Sequence, residues 1–301
     1  MFGFLTVDKP SGITSRSAVD KAKRFVRPAK IGHAGTLDPL ATGVLVLCIG
    51  PATRLTQFVQ SMPKTYVGEF QFGVTSPTDD IDSELQKVKN AVPVDRHAVQ
   101  HELQNFVGEI SQTPPDFSAV KVDGKRAYAL SRMGRQVELK PKQVTVHDIE
   151  MLDFDYPNLR LAIRCGSGTY IRSIGRDLGK ALGTGAIMTA LTRTAVGCFK
   201  LDTAINLDNL SNKIIQEKLI SPAAAFPEAN QIVLTNEQIQ KLANGHVFGE
   251  EELAEAKMDM QNIAIDTSNN LLAVFKAHRS GGHQPELNFV SYYGARNENS
   301  L

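Results

Sequence analysis

"GHAGTLDPLATGVL" (residues 32–45) sets one carboxylate, Asp38, among small and apolar residues, with glycines on its approach and a proline behind it. The run continues into "VLVLCI" (Val44 to Ile49), which carries no charge, is short enough to be a buried strand, and stops at Gly50-Pro51. Pro39 pushes its predecessor out of the helical region, so Asp38 is expected at a turn that presents its side chain. Gly32, Gly35 and Gly43 let backbone or ligand come close on either side. On local sequence alone the plainer reading is that Asp-Pro simply initiates a turn.

Working outward, "FGFLTV" (Phe2 to Val7) reads as a strand ending in the turn Lys9-Pro10-Ser11-Gly12. Thr14 or Ser15 then caps a helix with Ala18, Ala22, Phe25 and Val26 on its apolar face, and Arg16, Lys21, Lys23, Arg24 and Arg27 on a remainder suited to phosphates. A short helix follows Thr53, and "KTYVGEFQFG" (Lys64 to Gly73) alternates as a strand. Beyond the acidic loop "SPTDDIDSE" a helix is expected with Val99, Leu103, Phe106 and Val107 on one face. Asp123-Gly124 marks a tight turn. "LRLAIRC" (Leu159 to Cys165) is a strand, "GSGT" breaks it, and Tyr170 to Leu182 is a helix ended by Gly183.

After about Glu228 the character changes. Thr235 to Gln238 fits a capping box, its helix stops at Gly245, and an acidic stretch from Glu250 to Asp259 leads into the short strands "NIAID" and "LLAVFKAH". These features divide the chain into a large domain, 1–228, and a small β-rich domain, 229–301, with a frayed tail.

Composition bounds the class. The chain has 301 residues, 42% hydrophobic and 22% charged. No apolar run approaches the roughly 18 residues of a membrane span, and Met1 opens no signal-peptide pattern, so a soluble cytoplasmic protein is expected. Cys48, Cys165 and Cys198 lie far apart in apolar, strand-like segments and are expected to be buried and inert, with neither a disulfide framework nor a zinc site. His97 and His101 have helix spacing but lack the further ligands of a metal site and read as a surface pair. The net charge of +1 conceals blocks of +6 (1–64), −5 (65–110), +6 (111–200) and −6 (201–301). Two basic blocks within one domain can line a groove for a polyanion such as nucleic acid.

"KPSGITS" (Lys9 to Ser15), "GHAGTLDPLATGVL", "KTY" (Lys64 to Tyr66), "PPDFSAVKVDGKRAY" (Pro114 to Tyr128), "GTYIRSIGRDLG" (Gly168 to Gly179) and "LTRTAVG" (Leu191 to Gly197) resemble, in matching order, the motifs of the TruB family, the bacterial tRNA pseudouridine-55 synthases. The likeness spans residues 3 to 225. It implies an α/β (α+β) catalytic domain on a mixed, largely antiparallel sheet, a small C-terminal PUA-like β domain, and isomerisation of a flipped-out uridine in the T-loop of tRNA. Substrate and product are isomers, so the resemblance implies no cofactor and no metal. It also implies a stand-alone enzyme that binds the T-arm without a guide RNA, with a monomer as the default.

The resemblance assigns roles residue by residue. Asp38 matches the catalytic aspartate, acting as nucleophile at the ribose or as the base that forms a glycal. Arg172 matches the arginine that pairs with it, although by pattern alone it is an exposed helix arginine. Tyr66 matches the tyrosine that stacks on the base and serves the proton transfer at C5; its pattern is equally that of a half-buried strand tyrosine. Tyr170 and Leu191 match the wall of the uracil pocket and otherwise read as core. His33 matches the histidine that packs into the T-loop. Lys9 and Lys64 match lysines near the site, where phosphate contact and structural support are both open. Asp80 matches an aspartate of the acidic loop, and Ser83 stands where the family pattern has glycine, which shifts that alignment by a residue or so. The net −6 of the C-terminal block argues against strong phosphate binding there.

Three other readings compete. One is a dyskerin-like, guide-dependent synthase; against it, the amino terminus opens almost directly into the catalytic block. Another is a non-catalytic RNA-folding module. The third, a P-loop at "GSGTYIRS", lacks the GK[ST] that would follow.

Overall fold

The computed structural model describes residues 1–117, 121–122, 125–126, 139–257, 259–277 and 282–297. It opens with β1 (Gly3–Lys9), after which the Thr14 hydroxyl accepts the Ser17 N–H and starts α1 (Ser15–Val26). Then come β2 (Ile31–His33), β3 (Thr42–Ile49), α2 (Thr56–Ser61), β4 (Lys64–Phe72), the short pair β5 (Val74–Thr75) and β6 (Gln86–Lys87), α3 (Arg96–Leu103) and β7 (Gly108–Gln112). After the small pair β8 (Lys121–Val122) and β9 (Lys125–Arg126) follow β10 (Lys142–Asp155), β11 (Asn158–Cys165), α4 (Ile171–Ala181), β12 (Ala186–Val196), β13 (Phe199–Lys200), β14 (Ile205–Asn206) and α5 (Asn212–Lys218).

The main sheet has the order β14-β1-β3-β12-β4-β11-β10-β7, with β2 attached to β3 and β13 to β12. Only β1–β14 and β3–β12 run parallel, so the sheet is mixed and largely antiparallel, as the resemblance implied. The uncharged β3 follows from its place within this sheet. Leu45, Leu47 and Ile49 pack under α1 with Leu5, Val7, Ala18 and Ala22, while Val44, Val46 and Cys48 enter a second core on the opposite face. A strand covered on both faces has no polar side to alternate with.

That second core is shared with the C-terminal sheet, β15 (Asn230–Val233), β16 (Asn262–Ile265), β17 (Leu271–Ala277) and β18 (His283–Asn288), where β15 and β16 run parallel. Between β15 and β16 lies α6 (Asn236–Ala243), whose Thr235 and Gln238 form the capping box read from the sequence. Phe2, Phe4, Val44 and Val46 meet Ile263, Leu271, Val274 and Phe289 in one cluster. The last helix, α7 (Val290–Asn297), brings the rings of Tyr292 and Tyr293 to 5.2 and 5.9 Å from Phe2, where the sequence suggested only strands and a frayed tail.

Three expectations are corrected or left open. Val107 does not extend the apolar face of α3: that helix ends at Leu103, the chain tightens into a short 3-10 turn, and Gly108 at φ +99° starts β7, leaving Val107 exposed. Cys198 is exposed rather than buried, because it occupies the tight turn joining β12 to β13. The Asp123-Gly124 turn lies outside the described residues, as do 118–120 and 127–128 of its motif. Among the described residues no helix is long and apolar enough to cross a membrane.

α4 carries the site arginine and packs on the sheet through Ile171, Ile174 and Leu178, at the spacing of one helical stripe. Close approach depends on Gly175, where an added Cβ would lie 2.4 Å from Cδ1 of Phe70. Gly183, at φ +70°, follows the helix end as the sequence indicated. Gly175→Ala is expected to cost about 1–3 kcal/mol of stability through overpacking against Phe70, read as a lower urea midpoint at unchanged slope.

Candidate active site

Asp38 occupies the connection between β2 and β3, and every anchor of that connection is a main-chain bond to something rigid. The buried Ser15 hydroxyl accepts the Leu37 N–H at 2.8 Å and donates to its carbonyl at 3.1 Å, tying the residue before Asp38 to the start of α1. The Ala41 N–H closes a turn onto the Asp38 carbonyl at 3.1 Å, and the Gly12 N–H donates to the Pro39 carbonyl at 2.8 Å. Asp38 is therefore a turn residue that Pro39 helps to form, and the turn presents its side chain.

Two buried cations hold the rest. Lys9, fully buried, donates to the carbonyls of Pro10 (2.8 Å), Ile13 (2.9 Å) and Pro39 (3.3 Å), and burial pushes its pKa down to about 8. Of the two roles left open for it, Lys9 here performs support. Arg193, on β12, donates Nε–H to the Val44 carbonyl at 2.7 Å and its terminal N–H groups to Gly35 (3.2 Å) and Thr36 (3.4 Å). β3 and β12 meet through Gly43, at φ +96°, where a Cβ would sit 2.3 Å from the Arg193 carbonyl. Sequence reasoning gave Arg193 no role; the available signal was a lone cation inside a strand that is otherwise apolar or small.

Arg172 is not the exposed helix arginine of the plain pattern. Its side chain is 7% exposed, with Nη2 at 3.0 Å from Asp38 Oδ2 and Nη1 at 3.3 Å from Asp80 Oδ2. Nη1 also donates to the Thr78 carbonyl at 2.9 Å and Nη2 to that of Phe117 at 3.2 Å. Gln112 starts the helix: its amide oxygen accepts the Tyr170 N–H at 2.8 Å and its amide N–H donates to the Tyr170 carbonyl at 3.0 Å. Neither Gln112 nor Thr78 was singled out from the sequence. In the acidic loop, Asp80 faces Arg172, while its neighbour Asp79 pairs with Arg176 at 2.9 Å and is pushed up to about 6 by burial.

The structure brings Asp38, Lys64, Tyr66, Tyr170, Arg172 and Leu191 together around one cavity of about 320 Å³. The Asp38 side chain is 40% exposed at this cavity. Tyr66 is buried, which raises its phenol pKa, with Arg193 acting against that rise. Lys64 donates to the Gln60 carbonyl, and burial lowers its pKa to about 8. Lys9, His33 and Asp80 do not line the cavity: Lys9 lies under the loop, Asp80 behind Arg172, and His33 at the end of β2, where burial pushes the imidazole below its usual pKa. A carboxylate fixed by a guanidinium at the wall of a cavity with mixed polar and apolar lining, beside a buried phenol, can act as nucleophile or base on a ring-sized substrate.

Comparisons with known proteins place the whole chain in one family. Residues 23–171 match the model of the TruB family pseudouridylate synthase N-terminal domain, and residues 172–234 match that of the tRNA pseudouridylate synthase B C-terminal domain. The chain is 38% identical over 300 residues to tRNA pseudouridine synthase B of Dehalococcoides mccartyi, covering 97% of each. It is 43% identical to the protein of that name from Bacteroides fragilis (strain YCH46), covering 71% of this chain and 94% of the relative. Among solved structures it is similar to a Cbf5-Nop10-Gar1 complex chain, at a TM-score of 0.74 and 25% identity over 96% of this chain and 85% of that one.

Arg193→Met leaves the Gly35, Thr36 and Val44 carbonyls without their buried donor. It is expected to lower stability by about 3 kcal/mol in chemical denaturation, with Arg193→Lys recovering only part of the loss, because an ammonium cannot reproduce the planar fork.

Proposed function

The chain belongs to the TruB family of pseudouridylate synthases, and on that premise we propose that it converts uridine 55 in the T-loop of tRNA to pseudouridine with Asp38 as its catalytic residue. The observation that carries the assignment is the chain Asp38–Arg172–Asp80, at 3.0 and 3.3 Å, beside the cavity.

In the reaction the N1–C1′ bond breaks, the uracil turns, C5 joins C1′, and the C5 proton leaves as N1 gains one. Asp38 offers its carboxylate to C1′ as nucleophile, or takes the C2′ proton to give a glycal; either role needs it ionised and aimed, which is the task of Arg172. Tyr66 supplies a face for the flipped base and serves the transfer of the C5 proton; burial raises its pKa, and the charge of Arg193 opposes part of that rise. Tyr170 and Leu191 wall the base from water, Lys64 faces the phosphate of the flipped nucleotide, and His33 packs into the T-loop.

We further propose that the enzyme works in the cytoplasm as a monomer and without a guide RNA. Bacterial relatives sharing most of its length support this reading. The likeness to a Cbf5 complex favours the guide-dependent alternative. A single assay separates the two: purified protein with an unmodified tRNA transcript tritiated at uracil C5, and no guide, metal or cofactor added. The wild type is expected to release tritium, and Asp38→Asn to bind tRNA while losing at least about 10³-fold in rate. No release from wild type, with tRNA still bound, would leave the guide-dependent enzyme or the RNA-folding module.

The lysine at the cavity predicts a pH dependence. With its pKa near 8, the Lys64 ammonium is present below that value and lost above it, so KM for tRNA is expected to rise as pH passes from 7 to 9. Lys64→Gln is expected to raise KM at pH 7 and to flatten the dependence.

A further inference from the structure

The acidic loop holds a pair of hydroxyls that the mechanism above does not use. Thr78 Oγ1 lies 2.5 Å from Asp80 Oδ1 and 2.7 Å from Ser83 Oγ, and the Thr78 N–H donates to Ser83 Oγ at 3.3 Å. We propose that Ser83 is a positioning residue for catalysis, aiming Arg172 at Asp38 by locking both ends of Thr78.

The direction of each bond follows from chemistry. Asp80, facing the Arg172 guanidinium, is an acceptor, and its Oδ1 already accepts the Asp82 N–H at 3.0 Å. The Thr78 hydroxyl proton is therefore committed to Asp80, and the Thr78 oxygen is left as an acceptor. The Ser83 hydroxyl donates to that oxygen while its own oxygen takes the Thr78 N–H. The resulting relay runs Thr78 N–H to Ser83 O–H to Thr78 O–H to Asp80, and each hydroxyl in it gives one bond and takes one.

The far side of Thr78 explains why this matters. Its carbonyl accepts from Arg172 Nη1 at 2.9 Å, and the same nitrogen faces Asp80 Oδ2 at 3.3 Å, leaving Nη2 for Asp38. Thr78 thus sets the arginine twice, by its own carbonyl and through Asp80. Without the Ser83 hydroxyl, Thr78 Oγ1 loses its donor and the Thr78 N–H loses its acceptor, so the side chain that holds Asp80 Oδ1 is less firmly set, while the Thr78 carbonyl stays tied through the Asp79 N–H to the Ser76 carbonyl at 3.2 Å. Ser83 is half-buried and does not line the cavity, so its removal opens no hole in the core and touches no substrate group.

The inference rests on the functional reading above and is tested with the same tritium release from tRNA, normalised to the fraction of protein that binds tRNA. Ser83→Ala is expected to lower kcat about fivefold, part of the worth of the two hydrogen bonds it removes, with KM within twofold of wild type and an unchanged thermal midpoint. Ser83→Thr, which keeps the hydroxyl, is expected to restore kcat. Thr78→Val is expected to lose at least as much, and adding Ser83→Ala to it to change nothing further, since both act through one relay. An unaltered kcat in Ser83→Ala, a change confined to KM, or effects that multiply in the double variant would each overturn the proposal while wild-type release upholds the functional reading. Absence of release from wild type would remove both.

Discussion

A guanidinium with 7% exposure, shared between Asp38 and Asp80, is the constraint on which the rest of the site depends. A buried cation is costly unless its donors are satisfied, and here two carboxylates and two carbonyls accept from it. Meeting that demand requires four distant pieces of chain to converge: the turn before β3, the acidic loop, the segment after β7 that brings the Phe117 carbonyl, and the first turn of α4. The glycines of α4 that meet Phe70 and Ala186 without side chains, and the Gln112 amide that fixes Tyr170, are the means by which the helix reaches that meeting point. The arrangement sets the paired carboxylate and guanidinium in a lining that also holds Lys64, Arg193 and the apolar Leu191 and Ile171.

Much of this was legible in the chain itself. The run from Val44 to Ile49 had to be a strand buried on both faces, and the capping residues Thr14 and Thr235 marked helix starts because their oxygens satisfy amides that no earlier carbonyl can reach. Asp38 as a turn residue followed from Pro39. The roles of Arg172 and Asp80 came through resemblance, since no local pattern tells a buried arginine from an exposed one when its partners lie 92 or more residues away.

What escaped the sequence shares a physical cause. Lys9 and Arg193 are satisfied by main-chain carbonyls, which every residue possesses and no sequence pattern displays. Cys198 was misjudged because the strand-like run around it folds back within two residues of Val196. α3 stopped short of Val107 because a backbone angle at Gly108 outweighed an apolar spacing that continued past it. In each case the deciding interaction was nonlocal or conformational, while the readable features were hydrophobic period and capping chemistry.

The core shared by Phe2, Phe4, Val44 and Val46 with Ile263, Leu271, Val274 and Phe289 joins the two ends of the chain through one cluster. During synthesis the first strands emerge long before the segment carrying Ile263, Leu271, Val274 and Phe289, so the part of their second face that this segment covers waits for it. Until then the strip left uncovered behind the Asp38 turn is hydrophobic, of the kind that chaperones shield at the ribosome exit.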